Sequence, residues 1–136
     1  MFKHDIKYTD YNGNEREETL YFNLSSAELA KIEAKTDGGL QDYLRRIFEE
    51  QDKGKIWDMF ETIVLSAYGK KMPDGSFAKD RGRLAEKFVE TVAYSDFMVW
   101  LLSDGGKNAA MFVNGIVPKE DGTIKPVAAD NIVPLQ

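Results

Sequence analysis

The feature that most constrains this chain lies at its start. Residues 2–24 alternate apolar and polar side chains on both sides of an Asn-Gly turn. Phe2, His4, Ile6 and Tyr8 alternate with Lys3, Asp5 and Lys7, and Leu20, Phe22 and Leu24 alternate with Tyr21 and Asn23. A period of two places every second side chain on one face, the pattern of a half-buried strand. Between the runs lies Asp10-Tyr11-Asn12-Gly13-Asn14. Asn-Gly tolerates the positive φ values of a tight hairpin turn, so residues 1–24 are predicted to form a β-hairpin. An isolated hairpin is marginal in water. Its apolar face therefore has to be covered by the chain that follows.

That chain is patterned for helices. Ser25 and Glu28 form a capping box at the start of a first helix, which carries Leu29 and Ile32 inward and stops near Thr36-Asp37-Gly38-Gly39. A second helix is expected from Leu40 to Gln51, with Leu40, Tyr43, Leu44, Ile47 and Phe48 as one stripe. A third, from Lys55 to Tyr68, has apolar residues around about half its circumference. Met72-Pro73-Asp74-Gly75 reads as a turn. Three further helices are expected over Asp80–Thr91, Tyr94–Ser103 and Lys107–Asn114, the last capped by Gly115. The fold class is thus α+β, mostly α: an N-terminal β-hairpin packed on a bundle of five or six short helices, with no strand after residue 40. Residues 1–117 read as a single domain, hairpin 1–24 and bundle 25–117. Residues 118–136 hold prolines at 118, 126 and 134 with no sustained period, and read as a flexible C-terminal tail.

Composition narrows the chemistry. The chain of 136 residues has no Cys and one His, which removes disulfides, thiolate nucleophiles, His-based triads and poly-His metal sites. Eighteen Lys and Arg stand against 23 Asp and Glu, a net charge of −5, which disfavours nucleic acid as a partner. The longest apolar run, Phe97 to Leu102, is far shorter than the roughly 20 residues of a membrane helix. The expectation is a soluble intracellular protein that is not an enzyme, has no cofactor or metal, and touches neither nucleic acid nor membrane.

The candidate polar sites have plain explanations. His4 sits on the apolar side of the first strand, where a lone imidazole packs. Glu17-Glu18 and Glu49-Glu50 are adjacent carboxylates that do not converge on one point. Gly38-Gly39 and Gly105-Gly106 open helices without a phosphate-binding pattern. The Asp10–Asn14 loop lacks the third acidic position and the closing glutamate of a calcium loop.

The anomaly is apolar. With Tyr94, Phe97, Met98, Leu101 and Leu102 facing the core, Val99 and Trp100 fall about 130° to either side of the stripe centre. Leu65 falls about 150° from the stripe centre of the third helix. Such residues can be surface scatter or can build a patch that binds another chain. Leu65, Val99 and Trp100 are therefore the candidate protein-binding residues. The competing reading is that Trp100 closes the core against the hairpin.

Several stretches resemble one family in series. They are Ile6–Asn14 with Leu20–Ser25, Glu33–Leu40, Ser66–Lys71 through Asp74–Phe77, Phe88–Thr91 with Ala93–Ser95, and Phe112–Pro118. In order and spacing, residues 5–119 resemble the tail assembly chaperones of long-tailed bacteriophages and prophages of Gram-positive bacteria. The resemblance implies a non-catalytic protein that binds and shields the tape measure protein during tail morphogenesis. It implies action in the cytoplasm of the infected host and absence from the mature virion. Self-association and a longer frameshifted form belong to the same implication. No catalytic or ligand residues carry over. The alternative is a structural or interaction protein of the tail or head–tail region that stays in the virion.

Overall fold

The computed structural model describes residues 1–35 and 37–118; the expected tail beyond Pro118 lies outside the described residues, as do the side chains of Leu40 and Leu44. The described residues are α+β and mostly helical, with a four-stranded antiparallel sheet in the order β1-β2-β3-β4 and six α-helices.

β1 (Phe2–Thr9) and β2 (Glu15–Phe22) pair along their whole length, from Phe2 opposite Phe22 to Thr9 opposite Glu15. Phe2, Ile6, Leu20 and Phe22 are buried, as the alternation requires. The connection is wider than a tight Asn-Gly pair. Gly13 alone in the loop takes a positive φ, +84°, and its N–H donates to the Asp10 carbonyl at 3.0 Å. The Asp10 carboxylate accepts from the N–H groups of Asn12 and Asn14, at 2.9 Å each, and from Arg16 Nε at 2.8 Å. That carboxylate is occupied in holding its own turn, and not in waiting for a cation.

α1 (Ser26–Lys35) begins with the expected reciprocal cap: Glu28 N–H donates to Ser25 Oγ at 3.2 Å, and Ser25 N–H donates to Glu28 Oε1 at 2.9 Å. α2 (Gly39–Glu49) buries Ile47 and Phe48. α3 (Lys53–Ala67) starts two residues earlier than expected, because Asp52 caps it by accepting from Gly54 and Lys55 N–H. Ile56, Phe60, Ile63, Val64 and Ala67 form its buried stripe.

The chain then returns to the sheet, which corrects the expectation of no strand after residue 40. β3 (Tyr68–Lys71) lies against β2, Tyr21 opposite Gly69 and Phe22 opposite Tyr68, and β4 (Phe77–Ala78) folds back on it. The Pro73 turn closes this second hairpin through Met72 N–H to Ser76 O at 2.9 Å and Gly75 N–H to Met72 O at 3.0 Å. Strands of four and two residues carry too little alternation to be read locally. The free edge of β2 supplies partners for the backbone of β3, and β3 supplies those of β4. Gly69 is needed for the closeness: a Cβ there would lie 2.6 Å from the Ala78 carbonyl oxygen.

α4 (Arg83–Val89), α5 (Val92–Leu101) and α6 (Lys107–Ile116) complete the molecule. Residues 80–82, expected as the first turn of α4, form a separate short 3-10 turn. Gly115 does not cap α6, which continues past it to Ile116. It is a close-packing point instead, since a Cβ there would meet Phe2 Cδ1 at 3.0 Å.

The buried side chains of sheet and helices form one cluster. Phe22 is its hub: its ring stacks on Phe97 of α5 at 4.6 Å and meets Phe112 of α6 at 5.3 Å and Phe88 of α4 at 6.1 Å. Each such pair adds about 0.5–1.5 kcal/mol beyond the area it buries. Two backbone bonds fix the end of β2 to the helices, Asn23 N–H to Ala67 O and Leu24 N–H to Ile116 O, both at 2.8 Å.

Candidate interaction surfaces

α5 is set by Thr91, whose hydroxyl accepts the Tyr94 N–H at 3.2 Å. From that start Ala93, Phe97, Met98 and Leu101 turn inward, and Val99 turns outward, 61% exposed. Trp100 does not point to solvent as the helical wheel implied. It is half-buried, with its ring 4.2 Å from His4, 5.6 Å from Phe97 and 6.2 Å from Phe2. The inner face of β1 lies beside α5 and gives the ring a second wall. The Trp100 carbonyl accepts from Asn108 Nδ2 at 2.9 Å and Ser103 Oγ at 2.8 Å, tying α5 to α6. Leu65 is also half-buried and packs on the core from α3. Of the three residues marked by their off-stripe positions, Val99 is thus the one mostly in solvent.

The imidazole of His4 is enclosed by the same rings, 5.2 Å from Phe97. Burial holds its pKa below the ordinary 6.5, against a smaller opposing pull from Asp5. Tyr8 donates to Glu18 at 2.8 Å, and its phenol is pushed up to about 12 by burial and then by that carboxylate. Tyr94 donates to Glu61, linking α5 to α3, and burial followed by Glu61 raises its pKa. Lys79 is the main polar tie between distant segments. Its ammonium donates to Asn23 O at 2.9 Å, Ser66 O at 2.7 Å and Glu28 Oε2 at 2.5 Å. Burial raises the Glu28 pKa, but Lys79 and the Ser25 cap outweigh it and leave the net shift downward. Tyr8, Tyr94, Glu28 and Lys79 are thus each committed to another side chain or to the backbone. Among the described residues no three His, Asp or Glu side chains gather to hold a metal ion. Among the same residues no helix is long and apolar enough to cross a membrane.

A second surface was not legible in the sequence. Between α1, α2 and α3 lies a cleft of about 260 Å³, lined by Leu24, Ile32, Lys35, Tyr43, Thr62, Ile63 and Ser66. The hydroxyls of Thr62 and Ser66 turn back to their own helix, donating to Asp58 O at 3.1 Å and Thr62 O at 2.8 Å. That leaves the lining mostly aliphatic and aromatic. Ile32 and Tyr43 were read as core residues from their stripes. Both are half-buried beside the cleft. Helical periodicity marks a face as apolar but does not say whether a neighbour fills it.

A family model of phage tail assembly chaperones matches residues 1–123. The chain belongs to that family. Neither a curated protein nor a solved structure matches it.

Proposed function

We propose that this protein binds and shields the tape measure protein while the phage tail is assembled, in the cytoplasm of an infected Gram-positive host. It does so without catalysis and leaves before the virion is complete. The observation that carries this reading is membership of the tail assembly chaperone family over residues 1–123. The physical setting agrees with it. A long helical client exposes an apolar stripe until the tube encloses it, and such stripes aggregate. A holding protein needs apolar contact area and an acidic exterior, here a net charge of −5. Many copies, each bound weakly along one client, protect it through avidity.

Residues 1–117 act as one folding unit in this reading. Val99 supplies the exposed apolar contact on α5, with the outer edges of Trp100 and Leu65 as further contacts. The client helix lays one stripe against them. Self-association and a longer frameshifted form are compatible with the same role.

Immunodetection in infected-cell lysate and in purified particles tests the reading. The protein is expected in the lysate at the time of tail formation and not in the particles. Recovery from particles at a fixed ratio to the major tail protein would make it a structural component.

A further inference from the structure

The cleft between α1, α2 and α3 lies beside the point where the chain leaves α6. Leu24 lines the cleft, and its N–H donates to the carbonyl of Ile116 at 2.8 Å. The last residue of α6 is thus fastened beside the cleft, and the chain continues from there. Residues 119–136 follow, and the match to the family ends at residue 123. Beyond that point the sequence carries Ile124, Val127, Ile132, Val133 and Leu135, with Asp130 just before the Ile-Val pair. Ile132 lies sixteen residue steps beyond Ile116, enough to span roughly 50 Å when extended.

The lining suits that segment. Leu24, Ile32, Tyr43 and Ile63 offer an apolar floor, and Lys35 is the one cation among the lining residues. Among the described residues, no carboxylate forms an ion pair with Lys35.

We propose that the C-terminal segment of the same chain docks in this cleft, with Ile132 and Val133 against Ile32, Tyr43 and Ile63, and Asp130 facing Lys35. Tethering at Ile116 makes the contact intramolecular, so a weak apolar fit suffices at any protein concentration. The segment shields the cleft whatever the client is.

The chain has no Cys, so Gln136→Cys in the full-length protein takes a nitroxide label at one position only. The methyl signals of Ile32 and Ile63 are expected to broaden more than those of the other described isoleucines. Ile132→Asp with Val133→Asp, added to the labelled chain, should restore them. A mixture of labelled, isotope-free chain with unlabelled, isotope-enriched chain should show no broadening. Three results would each overturn the proposal. Ile32 and Ile63 could broaden no more than the rest, or the double substitution could leave the broadening unchanged. Equal broadening in the mixture would assign the cleft to a second copy.

Discussion

At the scale of single residues, His4 carries the clearest pH signature. Its imidazole is packed on Trp100 and Phe97, and burial holds it neutral below its ordinary pKa. The unfolded chain therefore binds a proton that the folded chain refuses. The contribution is complete above pH 6.5 and declines as pH falls from there through the lowered folded value. Urea midpoints measured between pH 7.5 and 5.5 should fall for the native chain. They should fall less for His4→Gln, which has no titrating ring. Equal slopes in the two proteins would show that His4 is not enclosed as described. Trp100 and Val99 differ in kind at the same scale. Trp100→Ala removes half-buried ring contacts and should cost about 2–3 kcal/mol of stability, somewhat below a fully buried truncation. Val99→Asp changes a side chain that is 61% exposed, and should move the melting temperature little. On the proposed function it should weaken co-purification with the tape measure protein. Thermal melts and pull-down yields on the two variants separate core from contact.

At the scale of elements, legibility followed the range of the interaction that makes each piece. The Ser25–Glu28 cap and the inward stripe of α5 depend on neighbours within one or two turns, and the first hairpin on two runs joined by one short loop. All of them could be read from spacing. β3 and β4 depend on the free edge of β2, which is supplied from more than forty residues earlier in the chain. Their second signal is Gly69, which looks like any loop glycine until the Ala78 carbonyl is seen against it. Gly69→Ala forces a methyl into backbone at 2.6 Å, and should cost about 1–3 kcal/mol through displacement of β4. Hydrogen exchange would show faster amides in residues 68–78 of that variant, with β1 unaffected. Unchanged exchange would mean that the second hairpin does not need the close approach. Lys79 was likewise unreadable, since its partners Asn23 and Glu28 lie on segments far away in sequence.

For the whole molecule, the sequence pattern led to the right class, α+β and mostly α with an N-terminal hairpin, because amphipathic periods settle which faces must meet. It did not distinguish an apolar face that is covered from one that is left open. That distinction moved Trp100 toward the core, left Val99 outside, and opened the cleft beside Ile32 and Tyr43. The polar contacts point the same way at this scale: Asp10, Glu28, Asp52, Lys79 and Thr91 are engaged in caps, turns and ties between segments. The most direct measurement is co-expression with the tape measure protein, followed by fractionation and size-exclusion chromatography. The tape measure protein, aggregated when made alone, should become soluble and elute with several copies of this chain. A tape measure protein that stays insoluble, or that elutes free of this chain, would contradict the shielding role.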